Sequence, residues 1–251
     1  VAEQNMIGIA TGLALEGKKI FTYSIANFAT MRCLEQIRND AAYHKVNVNI
    51  VASGGGFSYG QLGMSHHATE DLGILRCLPD IVSIAPTTAW ESREATMELY
   101  KSNCVGYLRL EKGGNTRAPF TGAKFKLGES ITIKEGKDLT IFSTGGIMNE
   151  VLIAANELED IGINAKVVSI HTIKPIDRNA IISSAKETGL VITVEEHNVI
   201  GGLASAVSEV IAIENIRTIF GRIGIEDEYT SIVGDQKYLR EKYKIWKHLQ
   251  Y

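Results

Sequence analysis

Short apolar runs alternate with longer stretches of helical periodicity along the chain. In the first half, runs rich in β-branched and aromatic residues cover positions 18–24, 46–53, 80–86 and 105–110. Runs of this length, bounded by glycine, proline and polar clusters, predict buried strands. The stretches between them carry apolar side chains at helical spacing, over residues 5–16, 26–43 and 88–101. This alternation predicts a mostly parallel sheet with right-handed crossovers.

A second series of the same kind follows a segment rich in Gly and Lys at residues 113–137. We interpret that segment as an inter-domain connection, part of it a short hairpin. After it, the pattern predicts strands at 138–146, 164–170, 189–196 and 216–224, and helices at 148–161, 177–188 and 202–213. The tail, 238–251, predicts a solvated terminal helix. We therefore predict an α/β protein of two domains, residues 1–122 and 123–251, each a mostly parallel sheet flanked by helices.

Composition narrows the functional classes. The chain has 251 residues, 45% of them hydrophobic, which is enough to bury one or two cores. Its formal net charge is −3 and it has no Lys/Arg run, so we expect neither nucleic acid nor an anionic membrane as a partner. No apolar run is long enough to cross a bilayer. Cys33, Cys77 and Cys104 are far apart and lack metal-ligand spacing, so we expect reduced thiols, a cytoplasmic protein and no metal site in this chain.

The chain opens with Val1 instead of methionine, inside what resembles a helix start. We expect additional sequence upstream of it.

Two loops carry the best candidate chemistry, because ligands bind at the carboxyl ends of parallel strands. The first loop, residues 53–71, contains three consecutive glycines and the pair His66–His67. Glycines let a backbone approach a ligand closely, and histidine suits proton transfer or hydrogen bonding to a hydroxyl. The alternative is a glycine-rich turn with two helix-capping histidines. The second loop follows Arg109, which could hold a phosphate or carboxylate, or could form a surface salt bridge.

Two further features leave alternatives open. The pair Gly145–Gly146 lies between a strand and a helix but lacks the third glycine of a dinucleotide site, which favours a plain turn. The run 194–202 ends a strand with two carboxylates, a His and an Asn, and could be functional or an ordered turn at a subunit contact. Glu3 is uninformative alone.

In combination, the motifs resemble the transketolase family of thiamine-diphosphate enzymes. VAEQNMIGIATGLALEG at the start is similar to the pyrimidine-domain signature, and CLEQIRNDAAY to the helix that follows it. SHHATEDLGILRCLPDIVSIAPTTAWE is similar to the family's histidine loop and next strand. Three later stretches, 138–177, 191–210 and 220–229, resemble the transketolase C-terminal domain. The resemblance covers nearly the whole chain in the right order.

The resemblance implies a thiamine diphosphate cofactor and a role for Glu3. In this family a buried glutamate shares a proton with N1′ of the aminopyrimidine, which helps the 4′-nitrogen take the proton from thiazolium C2. Such a glutamate needs a low-dielectric site that keeps its proton available near neutral pH. Glu3 occupies the matching position.

The resemblance also implies substrate and cofactor contacts. His66 matches the family's active-site histidine, His67 lies beside it, and Arg109 resembles the arginine that binds substrate phosphate. Arg32 and Gln36 lie on the helix next to the pyrimidine pocket.

The chain departs from the family pattern in three places. The aromatic that stacks on the pyrimidine aligns with Ala26, so we expect Phe28 to take its place, with Tyr23 also near. Two polar donor-binding positions are Gly54 and Leu62 here, which argues for a modified or less polar ketose donor.

The family's diphosphate- and metal-binding GDG…N segment does not occur in this sequence. We therefore expect an N-terminal transketolase subunit as partner, binding Mg²⁺ or Ca²⁺, with self-association through the pyrimidine domain into an α2β2 tetramer. The expected reaction is transfer of a two-carbon ketol unit between sugars or sugar phosphates. The alternatives are a 2-oxo acid dehydrogenase β subunit, a deoxyxylulose-phosphate-synthase-like enzyme, or a non-catalytic transketolase-like subunit.

Overall fold

Two five-stranded sheets organise the protein. The computed structural model describes residues 2–112 and 124–245. The first sheet has the order β1-β2-β4-β3-β8, with strands β1 (Ile20–Ile25), β2 (Val48–Ser53), β3 (Ile81–Ile84), β4 (Val105–Leu110) and β8 (Thr172–Lys174). Its first four strands are parallel, and β8 joins the edge antiparallel to β3. The edge strand of the first sheet thus comes from the second half of the chain.

The second sheet has the order β10-β9-β6-β7-β5. Its strands are β5 (Ile131–Lys134), β6 (Leu139–Ser143), β7 (Ala165–Ser169), β9 (Leu190–Asn198) and β10 (Ile219–Ile225). All pairs are parallel except β5 with β7. Two mostly parallel sheets confirm the predicted fold class. The expected boundary at 122/123 lies outside the described residues, and the described part of the connection forms the edge strand β5.

Helices cover both sheets. They are α1 (Glu3–Leu15), α2 (Ala26–Thr30), α3 (Leu34–Gln36), α4 (Asp71–Arg76), α5 (Ala89–Lys101), α6 (Met148–Asp160), α7 (Arg178–Thr188), α8 (Leu203–Ile213) and α9 (Gln236–Lys242). Short polar side chains begin three of them: Thr88, Asp177 and Asp235 each accept a hydrogen bond from a first-turn backbone N–H. No helix of the described residues has the length and apolar character to cross a membrane.

The cores of the two halves are continuous. One apolar cluster joins Ile7 and Ile50 of the first half to Phe142 and Val207 of the second. Another, in the second half, contains Phe57, which follows β2 of the first half. The two halves therefore pack as one body in which the loop after β2 is wedged between them.

Two predicted helices differ from the structure. The expected helix over 26–43 breaks into α2, a 3₁₀ turn (Met31–Cys33), α3 and a π-helical segment (Ile37–Ala42). The tail is not a solvated helix over its described part, because Leu239 and Arg240 of α9 are buried.

Candidate active site

The candidate site lies at the carboxyl edge of the first sheet. There β1 leads directly into α2, and β2 leads into the loop of residues 54–70. Helix α1 precedes β1 and packs against it, so the first residue of α1 returns to the same edge. The hydroxyl of Ser24, near the end of β1, donates to Glu3 Oε1 over 3.3 Å. The fold therefore delivers the first carboxylate of the chain to the edge where ligands of such sheets bind.

Glu3 is buried and ion-paired. It is 8% exposed, and Arg32 Nη1 lies 2.7 Å from its Oε2. Hydrogen bonding, including the bond from Arg32, lowers the pKa of Glu3. Burial, reinforced by the charge of Glu3, raises the pKa of the Cys33 thiol to about 11. In this structure Glu3 is thus an ionised carboxylate held in place by hydrogen bonds, and not yet a group that keeps a proton near neutral pH.

An aromatic bridge connects Glu3 to the histidine loop. The guanidinium of Arg32 lies 4.4 Å from the centre of the Phe28 ring, and that ring contacts His66 edge-on at 5.1 Å between centroids. The Asn27 amide donates to the carbonyl of Ser65 over 2.5 Å. His66 Nδ1 lies 3.0 Å from Ser65 Oγ. The structure thus brings four predicted site residues together, and it adds Ser24, Asn27 and Ser65, which no local sequence pattern indicates.

The remaining predicted cofactor residues, Tyr23 and Gln36, lie on β1 and α3. Ala26, the position where the family carries its stacking aromatic, is buried, and Phe28 two residues later faces His66. Tyr23 is 66% exposed on β1. The side-chain oxygen of Gln36 is buried and has no hydrogen-bond partner among the described residues. An unpartnered buried acceptor is unfavourable in the chain alone, and a ligand donor at this position would satisfy it.

His67 points away from His66 and into the protein. It is 2% exposed, its Nδ1 lies 2.6 Å from Thr230 Oγ1, and its Nε2 lies 3.4 Å from the carbonyl of Gly60. Burial lowers the pKa of His67. In this arrangement the side chain joins the loop to the second half of the chain and lines the cavity beside the loop, and its contact with substrate stays a prediction.

Arg109 is also committed inside the protein. It is 2% exposed, its Nε lies 3.0 Å from Asp71 Oδ2, and its Nη2 donates to the carbonyls of Ala68 and Glu196 over 2.9 Å each. A buried ion pair with two further acceptors leaves this guanidinium without access to a substrate phosphate. We expected Arg109 to bind a phosphate or carboxylate, or to form a salt bridge at the surface. Its buried position agrees with neither expectation.

The three consecutive glycines make room for the protein's own side chains. A Cβ at Gly55 would lie 2.3 Å from Arg109 Nε, and one at Gly56 would lie 2.3 Å from Glu196 Oε1. Gly54 and Gly56 have φ of +89° and +59°, which glycine adopts without strain. The close approach that the sequence suggested for a ligand therefore serves two buried charged residues.

The run 194–202 supplies structural contacts. Glu195 accepts from the backbone N–H groups of Leu203 and Ala204 at the start of α8, over 2.7 and 2.8 Å. Glu196 accepts from the backbone N–H of Phe57 over 2.5 Å and is ion-paired with Arg240. The run is thus an ordered strand end at the contact between the halves. Gly145 and Gly146 likewise form a plain turn before α6.

A cavity of about 250 Å³ lies beside the histidine loop. Its lining includes Asn27, Ser65, Glu70, Tyr229 and Thr230. Across the described parts of the chain, no three His, Cys, Asp or Glu side chains gather as they would around a metal ion.

Both halves of the chain match models of known protein families. The model of "Transketolase, pyrimidine binding domain" matches residues 1–115, and that of "Transketolase, C-terminal domain" matches residues 128–242.

Individual proteins agree with these matches. The chain is 38% identical over 243 residues to the 6-deoxy-6-sulfo-D-fructose transketolase subunit SqwH of Clostridium sp. (strain MSTE9), covering 97% of this chain and 75% of that one. It is 32% identical over 252 residues to the 1-deoxy-D-xylulose-5-phosphate synthase of Heliobacterium modesticaldum, covering 97% of this chain but 37% of that protein.

A solved structure described as a split-gene transketolase, inactive β4 tetramer, superposes with a TM-score of 0.87. It is 37% identical, and the match covers 100% of this chain and 81% of that one.

Proposed function

This chain belongs to the transketolase family, and we propose that it is the C-terminal subunit of a split thiamine-diphosphate-dependent transketolase. The proposed reaction moves a two-carbon ketol unit between sugars or sugar phosphates. The observation that carries this proposal is the position of Glu3, buried at the carboxyl edge of the first sheet in line with Arg32, Phe28 and His66.

The predicted cofactor residues fit the pyrimidine half of the cofactor. Glu3 offers a carboxylate, Phe28 an aromatic ring, and Gln36 a buried oxygen without a partner among the described residues. When bound, thiamine diphosphate supplies a nucleophilic carbon and an electron sink for cleaving the bond next to a carbonyl. In the proposed site Glu3 holds the aminopyrimidine, Phe28 packs on it, and Arg32 keeps Glu3 oriented, with Tyr23 at the periphery.

Glu3 needs a higher pKa to share a proton in this role. Hydrogen bonding, including the bond from Arg32, holds that pKa below its usual value in this structure. Covering the carboxylate with an aromatic ring removes water and so raises the pKa, as does the loss of a hydrogen-bond donor. His66, next to Phe28, is the residue we assign to the hydroxyl groups of the sugar donor.

The proposed site is completed by a second chain. We propose an N-terminal transketolase subunit that binds the diphosphate and Mg²⁺ or Ca²⁺, in an α2β2 assembly with this one. The similarity to proteins named as transketolase subunits supports a partner, as does the similarity to a split-gene structure described as an inactive β4 tetramer.

A donor panel tests the proposal. The chain is mixed with a transketolase N-terminal subunit, thiamine diphosphate and Mg²⁺, and the complex is given a ketose, a ketose phosphate, a 6-sulfonated ketose, pyruvate or a branched 2-oxo acid. We expect cleavage of a ketose and transfer of its two-carbon unit to an aldehyde. Turnover of pyruvate alone would favour a synthase of the kind to which the chain is 32% identical. Cofactor binding without turnover of any donor would instead indicate a non-catalytic subunit.

A further inference from the structure

The second half of the chain contacts the loop that carries His66. Phe57 is buried in the core of that half, and the carbonyl of Thr69 accepts from the backbone N–H of Asn198 over 2.7 Å. The backbone N–H of Gly234 donates to the carbonyl of Gly60 over 3.3 Å. The family resemblance gives the second half no catalytic group, yet it contacts this loop at its start, middle and end.

The connection between β10 and α9, residues 226–235, contacts the loop at His67, the residue next to His66. Within it, Thr230 is 8% exposed and its Oγ1 lies 2.6 Å from Nδ1 of His67. The other ring nitrogen of His67 faces the carbonyl of Gly60. A carbonyl only accepts, so Nε2 carries the proton of the neutral ring and Nδ1 accepts from the Thr230 hydroxyl. The carbonyl of Gly60 therefore fixes the tautomer of His67, and the Thr230 hydroxyl helps to fix its orientation.

The orientation of His67 bears directly on His66. His66 ends a 3₁₀ turn (Met64–His66), and His67 continues from it in extended conformation with φ −69° and ψ 141°. The two side chains consequently point to different sides of the loop, His66 toward Phe28 and His67 toward Thr230. Anchoring one ring thus sets the position of the other.

The surroundings of His67 include open space into which the ring can shift if that hydroxyl is lost. The cavity of about 250 Å³ beside the loop is lined by both His67 and Thr230. The ring therefore has open space on one side, while the Phe57 ring, 5.3 Å away between centroids, and the carbonyl of Gly60 contact it elsewhere. The bond to Thr230 is the shorter of the two hydrogen bonds of the ring, 2.6 Å against 3.4 Å, so its loss weakens the orientation of His67 most.

We propose that Thr230 is a positioning residue for the transketolase reaction, acting through His67 to hold His66 against the donor sugar. This inference rests on the proposed function of the first half and extends the active site to the second half of the chain. Small displacements of a group that contacts substrate lower rates strongly, by up to about 100-fold per ångström.

The test compares three variants in the complex with the N-terminal subunit and thiamine diphosphate. Thr230→Val keeps the shape and removes the hydroxyl, whereas Thr230→Ser keeps the hydroxyl. Thr193→Val is the matched control, since Thr193 is a buried threonine of the same half whose Oγ1 has no hydrogen-bond partner among the described residues. If Thr230→Val fails to fold, Thr230→Ala replaces it.

We expect Thr230→Val to lower kcat/KM for the donor by about 10- to 100-fold. Cofactor affinity should stay within about twofold, because Thr230 contacts the loop and not Glu3 or Phe28. Thr230→Ser should recover most of the loss, and Thr193→Val should match the wild type. Wild-type kcat/KM in Thr230→Val would overturn the proposal, as would a loss that serine does not rescue.

A second measurement separates this inference from the proposed function. Histidine-ring NMR of the ¹⁵N-labelled chain reports on both rings without any turnover. We expect Thr230→Val to shift the resonances of His66 as well as those of His67. Unmoved His66 resonances would overturn the positioning role even if the complex is active, whereas an inactive wild-type complex with shifted resonances would count only against the proposed function.

Discussion

The carboxylate of Glu3 and the guanidinium of Arg32 are 29 positions apart in the sequence and 2.7 Å apart in the fold. Neither residue is distinctive in the sequence, because a lone Glu and a lone Arg on separate helices are ordinary surface residues. Their significance comes from the edge of the sheet, to which α1 and the 3₁₀ turn after α2 bring them. Only the resemblance to a family predicted that both residues belong to the site.

His67 and Arg109 are distinctive in the sequence, but their contacts in the fold differ from those that the sequence suggests. The sequence shows two histidines side by side, but it does not show which of them faces inward. That depends on Thr230, 163 positions away. Similarly, the sequence does not show that Arg109 is surrounded by Asp71 and two carbonyl groups in the fold. Long-range contacts of this kind leave no local pattern.

His171 provides a prediction about pH. It is buried, with its ring stacked on Phe125 at 4.1 Å between centroids, and burial lowers its pKa to about 4. In the unfolded chain the ring has an ordinary pKa near 6.5. The unfolded state therefore binds the proton first, so stability from this group is complete above about pH 6.5 and is lost as pH falls toward 4.

We expect His171→Gln to flatten the fall in unfolding free energy between pH 6.5 and 4 by up to about 3 kcal/mol. Urea unfolding at a series of pH values measures it, and His44→Gln, at an exposed histidine, is the control. The same slope in His171→Gln as in the wild type would contradict the assignment.

At the scale of the elements, the loop of residues 54–70 contains glycines with positive φ and little space for a Cβ. Gly56 combines φ of +59° with a space that a Cβ would share with Glu196 Oε1 at 2.3 Å. Gly8 of α1 is its counterpart, since a Cβ there meets nothing within 4 Å. We expect Gly56→Ala to lower the unfolding free energy by about 2 kcal/mol or more. Gly8→Ala should leave it unchanged or raise it by up to about 1 kcal/mol. Equal effects in urea unfolding of the two variants would refute this account of the loop.

The sequence predicted the parallel strands of both sheets because buried parallel strands are nearly continuous apolar runs. It missed β8, whose three residues are too few to form a pattern. It also joined α2, α3 and the π-helical segment into one helix. The hydroxyl of Thr30 donates to the carbonyl of Ala26 over 2.6 Å, and such bonds from Ser or Thr to the preceding turn bend helices.

The burial of α9 has a similar explanation. Its sequence is rich in charged residues, which favours a solvated helix. However, Arg240 pairs with Glu150 at 2.6 Å and with Glu196, and Leu239 packs in the core of the second half. The partners of Arg240 lie on α6 and β9, so the docking of α9 depends on two other elements that are distant in the sequence.

At the scale of the whole molecule, α1 presents apolar side chains to solvent. Ile9, Leu13 and Leu15 are 56%, 46% and 59% exposed on the helix that also carries Glu3. We expect self-association through this face, because buried apolar surface is the main source of affinity between subunits. Light scattering at micromolar concentration should show Ile9→Asp/Leu13→Asp as a smaller species than the wild type.

Ile161→Asp/Ile219→Asp is the control for that experiment, with two isoleucines of the second half that are 72% and 70% exposed. We expect it to keep the wild-type mass. Dissociation of the control, with no change in the α1 variant, would place the contact on the second half instead.

The central claim is that Glu3 activates thiamine diphosphate at a site shared with another subunit. It is tested most directly by the exchange of the cofactor's C2 proton with deuterium, followed by NMR in the complex with the N-terminal subunit. Glu16→Gln is the matched control, because Glu16 is an exposed glutamate just beyond the other end of the same helix. We predict that Glu3→Gln slows the exchange by about 100-fold or more while Glu16→Gln leaves it unchanged. Exchange in Glu3→Gln at the wild-type rate would contradict the account.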